Sequence, residues 1–386
     1  MLKVFALMTL TFTATIASAF PIFVNCDAGQ SLNRTLSMLG RNNPTTVWVK
    51  GTCTEYVKII GFDGLTLKGL QGATLSQPST DPTDGLTNQV VLINASQSVM
   101  LDGFAIHSGS SAIASIGIGR SSTGIQLHNL RLDGVGTFGV LIAEGSQVEM
   151  ANVYARDPGY AVVGAFDFSD VHVEDCLFEQ TTTGPWNAGL AVDSANVTIQ
   201  RTRIRNMEVG INIGNGGRVD IQTFNSYYPL SAINDVVIEN PERTNFWGVA
   251  VGTGSILSIG YPKLRINNPG QSWGANTAGV YVSDGSALNA GANLVVSGSQ
   301  GQGIFVSNDS HASLAGSSIT GSGHAGVAVA NLSTISIGSS NPLTQVTGNA
   351  VDLFCDSKSL ISGGTNITYG VKSCPNLLPG DNEPIP

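Results

Sequence analysis

A short motif, a glycine followed by two or three mostly apolar residues, recurs along most of this chain of 386 residues. Successive copies lie about 21–38 residues apart, a spacing typical of stacked structural repeats. Less regular copies occupy residues 90–94 and 112–118, a blurred one begins at Tyr160, and Ala350 opens the last. The regular copies begin at Gly139, Gly189, Gly210, Gly248, Gly279, Gly303 and Gly326.

Two further segments follow each copy, and in both apolar and variable residues alternate. Residues 171–173 and 176–178 are one such pair. This period-2 pattern is typical of half-buried β-strands. Three short strands per repeat cannot bury their apolar side alone, but stacked coils enclose one continuous core. We therefore predict about a dozen coils whose parallel strands lie ~4.8 Å apart, in a rod on the order of 55 Å long.

The turn between the second and third strands carries Asn129, Asn152 and Asp175 at matching places. Asn and Asp tolerate left-handed backbone, and their side chains can bond along a stack. With this turn and its three-strand repeat, the chain resembles the right-handed parallel β-helix proteins of the pectate-lyase superfold over residues 46–375. The resemblance implies an all-β, right-handed parallel β-helix, and it is evidence for fold rather than activity.

The first nineteen residues have the pattern of a secretory signal peptide. A positive start at Lys3 precedes an apolar run over 4–16, and small residues at 17–19 precede Phe20. We therefore predict an exported protein, extracellular or periplasmic, whose mature chain begins at Phe20.

The two ends of the coil need protection, because an open end exposes core and strand edges. Residues 20–45 are predicted to cap the N-terminal end, with a helix from Ser31 to Leu39 that places its leucines on one face. Residues 376–386 are proline-rich and polar, and we expect a disordered tail there.

Export permits disulfide bonds. Two of the five cysteines lie near the start and two near the end, so we predict the pairs Cys26–Cys53 and Cys355–Cys374. Cys176 falls in the apolar phase of a strand and is expected to be a small buried hydrophobe. Because no C-x-x-C motif occurs, we predict no metal site. The Gly-rich stretch at 214–217 falls in a turn without a following helix, so we expect no nucleotide site and no cofactor.

The chain is acidic and poor in charge. Lys plus Arg number 18 and Asp plus Glu 27, a formal net charge of −9. Phosphate contacts need clustered basic residues, so nucleic acid is not an expected partner. After the leader no apolar run reaches ~18 residues, so no membrane span is predicted. The oligomeric state, monomer or otherwise, stays open.

Aromatic residues gather around the first strands of several coils, with polar residues nearby. Sugars offer flat apolar faces that aromatic rings contact well, and in the resembled superfold polysaccharides bind along this strand. We predict a polysaccharide-binding groove there; the alternative is that these rings pack internally under loops. The groove residues would be Trp186, Asn212, Phe246, Trp247, Trp273, Tyr281 and Phe305.

Catalysis is not established by any motif. Hydrolysis of a glycosidic bond needs two carboxyls within ~5–10 Å, and Asp193 with Glu242 would qualify if their turns converge; Arg243 is a further candidate. On the second strands Glu149 and His172 fall on adjacent coils, and the carboxylate is expected to raise the imidazole pKa. A surface pair without function is the alternative reading there.

The enzyme motifs of the resembled families are missing. Pectate lyases cluster Asp and Glu around calcium, and no such cluster occurs at one phase here. The closest matches to polygalacturonase motifs are Gly323-His324-Ala325 and Arg203-Ile204-Arg205, in the wrong order. Three functions therefore stand: a polysaccharide-binding protein, a carbohydrate-active lyase or hydrolase, and a structural or adhesive surface protein.

The third strands carry charges of alternating sign from Asp133 onward. Opposite charges on neighbouring strands contribute only ~0.2–1 kcal/mol each, which favours a structural role. The column is His107, Asp133, Arg156, Glu179 and Arg205.

Overall fold

The computed structural model describes residues 21–79, 88–134, 136–182, 187–222, 235–239, 247–261, 263–267, 277–291, 293–338, 340 and 343–378. In this part of the chain, three short strands per turn pass in order through sheets C, A and B, and the next turn stacks upon them. All three sheets are built from parallel neighbours; Met150, for example, pairs with Leu127 on one side and Val173 on the other.

Sheet A has fourteen strands. They are β1 (Ile22–Asn25), β2 (Thr45–Lys50), β5 (Leu65–Gly69), β8 (Met100–Asp102), β11 (Ile125–His128), β14 (Gln147–Ala151), β17 (Asp170–Glu174), β20 (Asn196–Gln200), β23 (Arg218–Ile221), β26 (Ile256–Ile259), β29 (Ala287–Ala290), β32 (His311–Leu314), β35 (Thr334–Ile337) and β38 (Leu360–Ser362).

Sheet B has thirteen strands. They are β3 (Thr52–Thr54), β6 (Thr74–Ser76), β9 (Ala105–His107), β12 (Arg131–Asp133), β15 (Tyr154–Arg156), β18 (Leu177–Glu179), β21 (Arg203–Arg205), β24 (Val236–Glu239), β27 (Leu264–Asn267), β30 (Leu294–Ser297), β33 (Ser318–Thr320), β36 (Thr344–Thr347) and β39 (Ile367–Tyr369).

Sheet C also has thirteen strands. They are β4 (Val57–Ile60), β7 (Gln89–Asn94), β10 (Ala114–Gly119), β13 (Phe138–Ile142), β16 (Ala161–Phe166), β19 (Ala188–Asp193), β22 (Val209–Gly214), β25 (Trp247–Val251), β28 (Ala278–Val282), β31 (Gln302–Val306), β34 (Ala325–Val329), β37 (Val351–Cys355) and β40 (Lys372–Ser373).

This arrangement is a parallel β-helix of about twelve turns, with the right-handed sense that parallel crossover connections adopt. The fold class predicted from the repeat is therefore confirmed. Inside, aliphatic side chains of neighbouring coils stack in rows, such as Val163, Leu190, Ile211 and Val249, all fully buried. The rows form one continuous core, which supplies the apolar burial that a single coil lacks.

The glycine of the repeat marks the corner where the chain enters sheet C. A Cβ atom on Gly248 would lie 2.5 Å from a methyl of Ile266 on sheet B and 2.6 Å from the carbonyl oxygen of Gly279 on the next coil. The same two kinds of contact meet Gly210 and Gly279. Any side chain at this corner would overlap both neighbours, so close packing requires glycine at this position of the motif.

A ladder of buried serines, which the sequence analysis did not identify, links the turns between sheets C and A. At five places among the described residues, the backbone N–H of a serine donates to the hydroxyl of the serine one coil further on, as from Ser286 to Ser310 at 3.3 Å and from Ser310 to Ser333 at 3.1 Å. The ladder is broken between Ser146 and Ser255. Ala195 and Gly217 occupy the serine position in two successive coils, and the hydroxyls of Ser169 and Ser255 have no hydrogen-bond partner among the described residues.

The asparagine turns lie where the sequence placed them, between sheets A and B. Asn129, Asn152 and Asp175 all have left-handed backbone, with φ of 52°, 54° and 52°. The amide of Asn152 donates to Asn129, and that of Asn129 to Asp102, each at 2.7 Å. The predicted side-chain ladder along the stack is thereby confirmed.

The charged column of sheet B is also confirmed. Asp133 accepts from Arg156 at 2.6 Å, and Arg205 bridges Glu179 at 3.3 Å and Glu239 at 2.9 Å on the coils to either side. The ladder thus extends one coil beyond its predicted end.

At the N-terminal end, helix α1 (Leu32–Ser37) is shorter than the predicted span from Ser31 to Leu39, and it buries Leu32 and Leu36 in the core. Its first N–H groups donate to the carboxylate of Glu55. The predicted cap also contains a strand, β1, whose pairing with β2 starts sheet A earlier than residue 46. Short 3-10 helices occupy Cys26–Ala28 and Gly364–Asn366.

Both predicted disulfides, Cys26–Cys53 and Cys355–Cys374, are present, and Cys176 is a buried free thiol. Burial raises the pKa of Cys176 to about 12, so the group is protonated at neutral pH. The cysteine predictions are thus confirmed.

The first three residues of the predicted C-terminal tail are hydrogen-bonded to the coil. Asn376 donates to the carbonyls of Ser357 and Ser359, and the N–H of Leu378 donates to Ile361. These bonds hold 376–378 against β38, so the expectation of disorder is wrong there. The rest of the predicted tail, like the predicted signal peptide at 1–19, lies outside the described residues.

Candidate functional site

The outer face of sheet C brings several predicted groove residues into one row. Asn212, Ala250, Tyr281 and Phe305 occupy the same register position on β22, β25, β28 and β31, four successive coils. Because side chains alternate across a strand, all four point away from the core, where the flanking residues are buried.

Three aromatic rings stack along this face. The rings of Trp247 and Tyr281 lie nearly parallel, at 14° with centroids 5.5 Å apart. The ring of Phe305 follows that of Tyr281 at 5.5 Å and 34°. We call these three residues the aromatic stack; its long direction is the axis of the rod.

A second group of rings stands three coils before the aromatic stack. Phe138 contacts Tyr160 and Phe166 edge to face, with centroid distances of 5.4 and 5.7 Å. These rings lie on the same outer face, at β13 and β16. They were not predicted from the sequence, because the copy at Tyr160 is irregular and Phe138 falls in the same strand phase as the buried Val140; Phe166 alone falls in the outward phase of its strand.

Small side chains form the floor between the two ring groups. Ala161, Ala188, Ala191, Val209 and Ala250 make an apolar cluster of their own on the outside of sheet C, separate from the core. Phe138, Tyr160 and Trp247 pack against it. The result is a hollow of about 390 Å³ between aromatic walls, which we call the groove.

Polar groups enter the groove from its lower edge, which is the side where the strands of sheet C end and the turns to sheet A begin. The carboxylate of Asp193 accepts from the Asn215 amide at 2.7 Å and from the Ser194 hydroxyl at 3.1 Å, so these bonds fix its position. Burial and the negative charge of Asp193 raise the pKa of Tyr160, which therefore stays a neutral phenol. The Asn212 amide has no hydrogen-bond partner within the described residues, which leaves its donor and acceptor available to a ligand.

Five other candidates cannot be placed. Trp186, Glu242, Arg243, Phe246 and Trp273 lie outside the described residues, as do most of the two loops around them. The carboxylate pair of Asp193 with Glu242 and the common flank of the three tryptophans therefore stay predictions.

Sheet A carries the Glu149 and His172 pair, and the two residues are register neighbours as expected. Each has a different partner, however. His172 Nε2 lies 3.1 Å from Glu174, and Glu149 lies 3.6 Å from His128. The expected rise in the pKa of His172 is wrong in direction, because burial lowers it and outweighs the nearby carboxylate. At neutral pH this imidazole is uncharged, at the edge of a shallow hollow of about 490 Å³.

Among the described residues, one group of three possible metal ligands has its ligand atoms within 4.8 Å of one another: Cys26, Cys53 and Glu55. Both thiols there are joined in a disulfide, so they cannot act as thiolate ligands. The described residues contain no helix long and apolar enough to cross a membrane.

No protein-family model matches the chain, and no curated protein matches it. Among solved structures it is similar to a GH87 alpha-1,3-glucanase catalytic domain in complex with nigerose, at 14% identity and a TM-score of 0.41, over 91% of this chain and 68% of the other. PfbA, a surface adhesin of Streptococcus pneumoniae, gives 13% and 0.38 over 86% and 88%. The podoviral tailspike of bacteriophage Det7, its receptor-binding protein, gives 10% and 0.41 over 95% and 77%.

Proposed function

We propose that the protein binds a neutral polysaccharide along the outer face of sheet C. The observation that carries this proposal is the aromatic stack of Trp247, Tyr281 and Phe305, which continues the groove along the rod axis. Aromatic side chains offer rigid apolar area for the C–H faces of sugar rings, and the phenol of Tyr281 adds a polar handle.

The dimensions favour a chain of sugars over a single one. From β13 to β31 the two ring groups span seven strands of sheet C, which is about 29 Å at the usual strand spacing. Within each ring group neighbouring ring centroids lie 5.4–5.7 Å apart, about the length of one sugar, and the floor of small residues between the groups leaves room for a sugar ring to lie between the walls.

The charge of the groove favours a neutral chain. Asp193 is the one charged side chain of the described lining, and no Lys or Arg stands beside it to receive a carboxylate or sulfate. A polyanion would therefore meet repulsion without a compensating ion pair. Asn212, Asn215 and Ser283 offer the hydrogen-bonding groups that sugar hydroxyls use.

Export belongs to the same proposal. Two disulfides fit an oxidising compartment, where extracellular polysaccharides are found. We propose that 1–19 is removed as a signal peptide and that the mature protein acts outside the cytoplasm, as a cap with helix α1 followed by the coil.

Affinity electrophoresis tests the groove directly. Laminarin, xyloglucan and galactomannan serve as neutral probes in the gel, and polygalacturonate as the anionic one. Trp247→Ala and Tyr281→Ala should each lower the affinity for the retained neutral probe tenfold or more, since buried aromatic anchors carry most binding energy. Polygalacturonate should not retard the wild type.

Phe354→Ala is the matched control, because Phe354 continues the same outward row on β37 but is 40% exposed and lies beyond the aromatic stack. Its mobility should equal that of the wild type. A folded Trp247→Ala variant that is still retarded would contradict the proposal, as would a wild type that no neutral probe retards.

Incubation of the protein with the same polysaccharides, followed by analysis of the products, distinguishes binding from catalysis. Release of reducing ends, or the absorbance of unsaturated ends, would make the groove an active site in which Asp193 is the first carboxylate to replace. Retention without either product supports a binding protein.

A further inference from the structure

The turn that leaves β16 carries an aromatic residue in a backbone conformation suited to glycine. Phe168 has a φ of +61°, a region that a bulky side chain enters only with strain. Its ring is 84% exposed, so neither burial nor packing compensates for that strain.

The stack of coils imposes this conformation. Phe168 stands one residue before Ser169 of the serine position, and its N–H donates to the carbonyl of Ser194 on the next coil at 2.7 Å. Glycine holds the same place in other coils, with φ of +69° at both Gly145 and Gly254. The N–H of each makes the same bond to the following coil, at 2.8 and 3.0 Å. Glycine is thus the relaxed solution at this position.

The position adjoins the groove. Phe166, two residues earlier, is one of the walls of the groove, and Asp193 enters it from the neighbouring strand. The turn 167–168 lies outside the residues that line the hollow, but it follows directly after this wall, where the chain leaves sheet C for sheet A. A single exposed apolar residue is ordinary on a protein surface, but a strained one beside a binding face is the kind of outlier that marks function.

Resting on the proposed function, we propose that Phe168 is a further ligand contact: its ring packs against a sugar of the bound neutral polysaccharide where that chain passes the lower edge of the groove. The contact extends the binding face past the walls of the hollow, and it gives the edge an apolar surface that glycine at the same position lacks.

Replacing Phe168 by glycine separates strain from binding. Phe168→Gly restores the residue that other turns use, so its melting temperature should equal or exceed that of the wild type. Its affinity for the neutral probe that the wild type retains, among laminarin, xyloglucan and galactomannan, should fall about fivefold or more. Phe168→Trp should keep the wild-type affinity, since it keeps an aromatic face.

Leu332→Gly is the matched control. Leu332 occupies the same turn position before Ser333, with a φ of +66° and 62% exposure, six strands further along sheet C. Its replacement should also leave the melting temperature equal or higher, with no change in affinity.

Three outcomes would overturn the inference: wild-type affinity in Phe168→Gly, an equal loss in Leu332→Gly, or a marked fall in melting temperature of Phe168→Gly. If Trp247→Ala abolishes retention while Phe168→Gly leaves it unchanged, the edge contact fails and the groove stands. If the wild type is not retained by any probe, the proposed function itself fails.

Discussion

At the scale of single residues, the corner glycines show how steric limits shape the sequence. Gly248 and its equivalents leave the chain just enough room to pass between a sheet B methyl and the next coil's carbonyl. The repeated glycine was visible in the sequence, and its regular spacing predicted the coil. The reason for the glycine could not be predicted, because the atoms that a side chain at Gly248 would overlap belong to residues 18 and 31 positions away.

Gly248→Ala should destabilise the fold. The added methyl overlaps Ile266 and the Gly279 carbonyl, and such overpacking costs about 1–3 kcal/mol. Urea denaturation measures the loss in the free energy of unfolding. Gly252→Ala is the control, since its Cβ would come no nearer than 3.6 Å to the Ser283 hydroxyl. Equal stability of the two variants would show that the corner can relax.

At the scale of strands and turns, prediction succeeded where a pattern repeats in phase. The outward row of Asn212, Tyr281 and Phe305 followed from alternation alone. The walls around Tyr160 were missed because that copy lacks the glycine signature, and the floor because alanine is common in any strand. The direction of the His172 pKa could not be predicted, since its burial depends on side chains of neighbouring coils.

The buried carboxylate of Asp352 joins the last full coil to the chain segment that follows it. Asp352 takes the corner position on β37 and accepts from the N–H groups of Gly370 and Val371 at 2.7 and 3.1 Å, and from the Asn349 amide at 2.9 Å. Burial alone would raise the pKa of Asp352, but these hydrogen bonds outweigh it and lower the pKa below 3.8. The closure therefore depends on the ionised form.

Because the folded pKa is depressed, the contribution of Asp352 to stability is complete above the unfolded value and is lost as the pH falls from about 4. Asp352→Asn should cost about 1–3 kcal/mol at pH 7, and this difference should shrink as the pH approaches 2. Urea denaturation at several pH values measures it. A deficit in Asp352→Asn that stays constant with pH would contradict this account.

At the scale of the whole molecule, stability is a sum over neighbouring coils. Each coil contacts only the coils before and after it, which is the property of solenoids that lets repeats be removed or added. Register is preserved only if the cut removes one complete turn of the chain.

Deletion of 302–324 should give a folded protein. This segment holds β31, β32 and β33, and its removal joins Gly301 to Ala325, which takes the place of Gln302 because Ile304 pairs with Val327. Circular dichroism should keep its β-sheet form, with one cooperative thermal transition. Deletion of 302–313 is the control, because it places Leu314 and the turn that follows it where β31 belongs in sheet C, and this variant should not fold. Failure of the first deletion, or folding of the second, would contradict nearest-neighbour stacking.

The break in the serine ladder affects where thermal unfolding of the protein begins. A disulfide bond lies near each end of the coil, whereas the serine ladder makes no rung between Ser146 and Ser255, where Ala195 and Gly217 replace serine in two middle coils. Those coils contribute β19 and β22, the floor beneath the groove. We therefore expect thermal unfolding to begin in these middle coils rather than at the two ends. A long polysaccharide bound across these strands would hold the middle coils together and delay that unfolding.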